Sequence, residues 1–423
     1  MMKKIIALSF IASVFIYAEQ DIVSAPRQFI DTQESRPRNL KRAKQSLLTV
    51  VLMVKNEEEV MAKTLEPLVL GGVDSFLIFD TGSTDRTIEV TKEFFKDHNI
   101  EGYVIAEEPF IDFATSRNHA LEVAEREFPD SGFFLFLDAE WYTHNVKGLL
   151  EFCAQELDKN IPCYLMRIMN NDIDFSVPRL IRVKSHSRFT GSVHEIIATS
   201  SVAKIPNAIY FELGVSRYGF EKSQRRWKRD VALLQKEHDK NPNDPRTTFY
   251  LAQTYECLGD LENAFHYYKI RSGQEGWHEE NYETFYRLGH IADRLSAVDS
   301  RYTWNMAFDY YATAHNILPH RAEPLVKIAS HYWQDGAAPI NTALCYLFAK
   351  RACELGYPER DLLFIDPTTY KYKRYELLSK SAWHIGDFDN GELATRNALQ
   401  AKEMPHLLHN LAAYIGHRAE QAK

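Results

Sequence analysis

Apolar residues fall along this chain in two rhythms, and the change between them divides it. In the first part they come as short unbroken runs that stop at charge. Gly132-Phe133-Phe134-Leu135-Phe136-Leu137 ends at Asp138-Ala139-Glu140-Trp141, and Leu47-Leu48-Thr49-Val50-Val51-Leu52-Met53-Val54 ends at Lys55-Asn56-Glu57-Glu58-Glu59. Ser75-Phe76-Leu77-Ile78-Phe79 ends at Asp80-Thr81-Gly82-Ser83-Thr84-Asp85. Runs this short and this apolar read as strands buried on both faces. Helical patterns lie between them. One runs to Leu70 with acids in its first turn and closes at Gly71-Gly72; another carries Ile88, Val90 and Phe94 behind a Ser83 or Thr84 cap. A fourth short strand at residues 103–106 precedes a helix over 114–128. Alternation of this kind predicts a largely parallel sheet with its polar strand tips along one edge, where open α/β sheets bind ligands.

The second rhythm is helical throughout. Residues 221–234 place Trp227, Val231 and Leu234 at helical spacing among basic residues, and Asn241-Pro242-Asn243-Asp244-Pro245 then breaks the chain. Beyond it, Thr248-Phe249-Tyr250-Leu251-Ala252 leads to Leu258-Gly259-Asp260 and Ala264-Phe265-His266-Tyr267-Tyr268. The theme returns at Thr284-Phe285-Tyr286-Arg287-Leu288-Gly289, at Pro324-Leu325-Val326-Lys327-Ile328-Ala329, and around Ala382 with Gly386-Asp387. These segments resemble degenerate tetratricopeptide helix pairs, which stack into a continuous core with a concave partner-binding wall. The boundaries expected are a signal-like or anchor segment over 1–18, a linker over 19–45, an α/β domain over 46–220, a connector helix over 221–243 and an all-α helical-repeat domain over 244–420.

Composition changes this picture little. The 423 residues are 45% hydrophobic with 22 Tyr and 25 Phe, enough for two cores, and the net charge of −8 excludes a global field for nucleic acid. Five scattered cysteines without CxxC spacing suggest neither a disulfide framework nor zinc. The N-terminus matters more. Met1-Met2-Lys3-Lys4, an apolar run over 5–17, and Ala18 before Glu19-Gln20 form a secretory-signal pattern too short to span a bilayer. A basic stretch over 36–44 follows, so the protein is expected to be either exported or held peripherally at a membrane.

Candidate chemistry gathers at the strand tips. Asp138 and Glu140 stand at i and i+2, where an extended chain would send both carboxylates to one side, and a hard divalent cation carrying phosphate oxygens suits such a pair. Taken alone, Asp-x-Glu is also an ordinary acidic turn. His194-Glu195 does not continue to a zinc-protease motif, because Ala198 stands where the second His is required.

Together these motifs carry a resemblance. Val51 to Glu58, then Asp80-Thr81-Gly82-Ser83-Thr84-Asp85-Arg86-Thr87, closely resembles the opening of family 2 glycosyltransferases. Asp112-Phe113-Ala114 with Arg117-Asn118-His119-Ala120-Leu121 looks like their next block, and Leu137-Asp138-Ala139-Glu140 occupies their metal motif, with Glu140 where Asp is common. Arg188-Phe189-Thr190-Gly191-Ser192-Val193-His194-Glu195 is similar to a block in the branch containing lipopolysaccharide-core glucosyltransferases.

The resemblance implies an α/β GT-A fold and inverting, hexosyl-type transfer from a nucleotide-diphosphate sugar. It implies Asn56, Glu57, Asp80, Asp85, Arg117 and Asn118 around the donor. Asp138, Glu140 and His194 would hold Mg²⁺ or Mn²⁺, and Glu195 would be the base, with Asp172 and Asp174 as competitors. The acceptor would be a glycan, a lipid-linked group or a protein, and the helical domain would recruit it or a protein partner. The alternative is a catalytically silent helical-repeat scaffold that binds a nucleotide sugar without transferring it. A nucleotidyltransferase is disfavoured, because no Gly-rich basic loop follows the first strand.

Overall fold

The computed structural model describes residues 46–191, 193, 195–214, 217–334 and 340–421, those at 217–222 by backbone alone. The signal-like segment, the basic linker and His194 lie outside the described residues. The chain forms two units. Among the described residues, one comprises 46–169 and 176–214, the other 170–175 and those from 217 onward.

The first unit is built on a mixed sheet. In chain order it contains β1 (Leu48–Val54), α1 (Met61–Leu70), β2 (Ser75–Asp80), α2 (Thr87–Asp97), β3 (Gly102–Glu107), α3 (Phe113–Glu127), β4 (Phe133–Leu137), β5 (Trp141–His144), α4 (Val146–Glu156) and β6 (Cys163–Met169). Then come β7 (Asp174–Arg182), β8 (Arg188–Thr190), β9 (Ile196–Ala198), β10 (Val202–Lys204) and β11 (Tyr210–Leu213). The sheet runs β3-β2-β1-β4-β7-β6-β11-β5, with β10 also on β6. Its first four strands are parallel, and β7 meets β4 antiparallel. The parallel half is the expected sheet; the antiparallel half departs from it. Strands β1, β2 and β4 are continuous apolar runs because helices and further chain cover both faces. Val51, Leu77, Phe79, Phe134 and Phe136 pack with Ala120, Leu121 and Ala124 of α3 into one buried core.

Two local expectations are corrected. The acids Glu57, Glu58 and Glu59 precede α1 rather than occupying its first turn, since the helix starts only at Met61. Neither Ser83 nor Thr84 caps α2, because both are drawn into hydrogen bonds with Asp80 and Asn56; Asp85 accepts from Thr87 at the helix start instead.

The second unit is helical: α5 (Arg217–Lys240), α6 (Pro245–Leu258), α7 (Leu261–Arg271), α8 (His278–Leu295), α9 (Trp304–Ile317), α10 (Glu323–Trp333), α11 (Thr342–Glu354), a π-helical turn (Thr369–Lys373), α12 (Arg374–Ile385), α13 (Phe388–Ala401) and α14 (Pro405–Gln421). Helix α5 starts ahead of the expected residue 221. Successive helices pair, α6 with α7, α8 with α9, α10 with α11 and α12 with α13.

Two of the pair turns use the same device. Gly259 and Gly386 take φ of +81° and +80°, which side-chain-bearing residues rarely adopt, and the following Asp260 and Asp387 cap the next helix. Ion pairs join one helix pair to the next, Arg246 with Glu280 at 2.9 Å and Arg287 with Glu256 at 3.3 Å, while Arg287–Glu283 and the buried Arg321–Glu323 pair, at 2.9 Å, are local. Glu279 accepts the backbone N–H groups of Leu362 and Leu363 at 2.8 and 2.7 Å, and Arg321 donates to the carbonyls of Leu363 and Phe364. Among the described residues the cysteines form no disulfide; burial pushes the Cys153, Cys163 and Cys353 thiols up to about 12.

Candidate functional site

Strands β2, β1 and β4 lie side by side, so their three polar tips open at one edge; Val54 is level with Asp80, and Leu52 with Leu137. The loops after β1 and β2 are hydrogen-bonded into one rim. Thr81 donates its N–H and hydroxyl to the Val54 carbonyl, at 2.9 and 3.0 Å. Asn56, held at φ +55°, accepts from the Thr84 N–H at 2.7 Å and donates its own N–H to the Ser83 hydroxyl. The Glu57 N–H reaches Thr87, and the Glu58 N–H reaches Asp85. Asp80 is buried, its carboxylate accepting from the Ser83 N–H at 3.0 Å and from the Ser83 hydroxyl at 2.5 Å. Burial alone would raise the Asp85 carboxyl, but hydrogen bonds from Thr87 and the Glu58 N–H hold it below its usual value. The structure thus brings Asn56, Glu57, Asp80 and Asp85 together.

Helix α3 supplies the next wall. Asp112 caps it, accepting from the Thr115 N–H at 2.7 Å and fixing where the helix begins. One turn later come Arg117 and Asn118, which do different work. Asn118 grips the backbone of β8 from both sides, donating to the Phe189 carbonyl and accepting from its N–H, each at 2.8 Å. Arg188 adds an ion pair to Glu125 at 3.0 Å. Strand β8 pairs with β9 as a two-stranded ribbon, so these ties also fix Glu195, the residue just before β9.

Arg117 is buried, at 4% exposure, and its guanidinium bridges two carboxylates. Nη2 donates to Asp138 Oδ1 at 2.5 Å, and Nη1 contacts Glu195 Oε1. From β7, Arg179 closes on the same Glu195 oxygen at 3.4 Å. Arg179 is 1% exposed, with its guanidinium 5.4 Å from the Trp141 ring and 5.9 Å from the Phe189 ring. Burial, and next the like charge of Arg117, pull Arg179 down to about 9, so it is still a cation at neutral pH. The four residues form a charge-balanced quartet of two guanidinium groups and two carboxylates.

The pair Asp138 and Glu140 departs from expectation. The chain is not extended there: Glu140 takes φ +67° in a turn that brings the Trp141 N–H onto the Asp138 carbonyl at 3.2 Å. The i, i+2 argument for one common face therefore does not apply. Asp138 keeps about a quarter of its side chain exposed, whereas Glu140 is buried, its N–H on Thr64 and its carbonyl accepting from Gly214. Glu140 lies near Tyr142, whose phenol is raised first by burial, against the Lys63 ammonium, with Glu140 adding to the rise.

Among the described residues no three Asp, Glu, His or Cys side chains come together as a metal cage. Two hard carboxylates beside a diphosphate would nonetheless suit Mg²⁺, which takes one or two carboxylates plus substrate phosphates.

Arg179 is the residue that sequence reasoning missed. Its signal was a lone cation in the apolar run Phe175-Ser176-Val177-Pro178-Arg179-Leu180-Ile181. A buried charge of that kind requires a partner.

Residues 49–198 match the family model described as glycosyl transferase family 2, so the first unit carries a family 2 glycosyltransferase domain. No curated protein matches the chain. Among solved structures, the chain is similar to a mannosyltransferase from Pyrobaculum calidifontis in complex with GDP-Man and Mn²⁺, at 14% identity and TM-score 0.35, covering 64% of this chain and 87% of that one. It is also similar to the C-terminal part of a TPR repeat-containing protein from Cytophaga hutchinsonii, at 16% identity and TM-score 0.33, covering 48% and 73%. A thermophilic TPR protein from Thermus thermophilus gives 16% identity and TM-score 0.30, covering 46% and 93%.

Proposed function

We propose that this family 2 glycosyltransferase domain moves a hexosyl group from a nucleotide-diphosphate sugar to an acceptor hydroxyl with inversion. The observation that carries the reading is the quartet of Arg117, Asp138, Arg179 and Glu195 beside the interlocked strand-end loops of a domain matching that family. Asn56, Glu57, Asp80 and Asp85 form the rim against which the nucleoside end of the donor rests. Glu195 accepts the proton of the acceptor hydroxyl as its oxygen attacks C1 and the bond to the diphosphate breaks. A base so placed contributes about 10²–10⁴-fold in rate. Arg117 keeps Glu195 and Asp138 at a constant separation throughout. Asp138 and Glu140, with His194, would hold Mg²⁺ or Mn²⁺, which when bound supplies Lewis-acid stabilisation of the departing diphosphate. The helical unit recruits the glycan, lipid-linked or protein acceptor, or a protein partner.

Purified protein incubated with Mn²⁺ and a panel of nucleotide sugars should hydrolyse or transfer at least one of them. Asp138→Ala should abolish that turnover while keeping the fold, because the side chain is partly exposed. Near-normal turnover by the variant would refute the assignment of Asp138.

A second reading has one observation in its favour. Glu195 is only 3% exposed, which suits a silent nucleotide-sugar-binding scaffold as well as a base waiting for substrate. Donor binding without turnover across donors and acceptors would establish the scaffold. Because nucleotide sugars must reach the site, we further propose that residues 1–18 stay attached and hold the protein at a membrane on its donor-bearing side. A mature chain starting at Glu19 on N-terminal sequencing would refute this.

A further inference from the structure

Arg179 has features that a structural ion pair does not need. It is fully enclosed in β7, yet among the described residues its Nε finds no hydrogen-bond partner, and Nη1 reaches only the neighbouring Pro178 carbonyl at 3.3 Å. A buried donor left unmatched is costly and calls for a reason. Among the described residues, the one charged group its guanidinium contacts is Glu195, and it contacts the oxygen already taken by Arg117. The two arginines come from different elements, α3 and β7, and both lie over the Phe189 ring, at 5.8 and 5.9 Å. One donor would let the carboxylate pivot about a single contact. Two donors converging on Oε1 from separate elements hold that oxygen in place, and no described residue donates to Oε2.

We propose that Arg179 is a positioning residue that, with Arg117, pins Oε1 of Glu195 and so presents Oε2 to the acceptor hydroxyl. The proposal rests on the reading of Glu195 as the base. Arg179 touches neither donor nor acceptor and acts only through that carboxylate. Misplacement of a reacting group by about 1 Å costs about 10²-fold in rate, and this sets the size of the effect.

The test is a double-mutant cycle on the full chain, with kcat, donor KM and donor Kd measured for Arg179→Gln, Glu195→Gln and the pair. Arg179→Gln should lower kcat about 10²-fold with donor KM changed less than about twofold, the pattern of an interaction made in the transition state alone. In the Glu195→Gln background the same change should cost nothing further, because the carboxylate it positions is already gone. A loss that persists in full in that background, or a KM effect at constant kcat, overturns the role of Arg179 and leaves the base reading standing. Full activity of Glu195→Gln by itself overturns the base reading and the proposal with it. Should Arg179→Gln fail to fold, Arg179→Lys keeps the charge while removing the planar fork that Arg presents. Its kcat should fall while its donor Kd holds; unchanged kcat in that variant also overturns the proposal.

Discussion

Replacing Glu279 by glutamine should stabilise the helical unit at alkaline pH and leave it unchanged in acid. Glu279 is 5% exposed, and burial raises its carboxyl from 4.5 to about 7, with Asp361 adding to the rise; the Leu362 and Leu363 N–H groups and Arg321 oppose it. The unfolded chain loses this proton first, so between pH 4.5 and about 7 rising pH favours unfolding. At about 1.4 kcal/mol for each pH unit between the two values, the ionised carboxylate costs the fold up to about 3 kcal/mol above pH 7. Glutamine removes the ionisation while its amide oxygen can still accept both N–H groups. Hydrogen exchange at the Leu362 and Leu363 amides, compared between variant and wild type at pH 5 and pH 8, reads this directly. Protection should be nearly equal at pH 5, and at pH 8 the variant should gain up to about 3 kcal/mol. An equal difference at both pH values, or a variant less protected at pH 8, would refute the reasoning.

Three further outcomes are expected. Glu195→Gln should lower transfer about 10²–10⁴-fold without weakening donor binding, measured by initial rates and calorimetry. Asn118→Leu should lose the two bonds that hold β8, costing about 1–3 kcal/mol for each backbone group left unpaired, and should cut activity because the same ribbon places Glu195; urea titration and assay read both. Gly386→Ala should cost about 1–2 kcal/mol by forcing a side chain to φ +80°, whereas Gly356→Ala, in open space without a positive φ, should leave the melting temperature unchanged.

How far the sequence could be read depended on the range of each interaction. Strands β1, β2 and β4 were legible because a parallel strand covered on both faces must be a continuous apolar run, and the tips follow from where the runs stop. The paired helices were legible from Leu258-Gly259-Asp260 and its echo at Gly386-Asp387, a local turn that repeats. The α2 cap was misassigned because Ser83 and Thr84 answer to Asn56, a residue on the preceding loop, rather than to the helix beside them. The turn at Glu140 was invisible for a similar reason: its left-handed backbone is held by Thr64 and Gly214, both distant in sequence. Arg179 was passed over because its partner Glu195 stands on the β8–β9 ribbon, in a later part of the chain that the strand pattern does not tie to β7. Asn118 shows the same difficulty within one motif: its neighbour Arg117 faces the carboxylates, while its own amide is spent on the backbone of Phe189.

The quartet also has an electrical consequence. Arg117 and Arg179 carry two positive charges, Asp138 and Glu195 two negative ones, and the four cancel before any substrate arrives. Nearby Asp80 and Glu140 add only acid. A nucleoside diphosphate entering here meets no surplus of positive charge among these residues, so its own charge is not drawn in by theirs. On the proposed function, such a site would take the donor as an already neutralised complex rather than as a naked anion. Free diphosphate nucleotides at low divalent concentration should then be poor inhibitors, and product should leave most readily when its cation leaves with it.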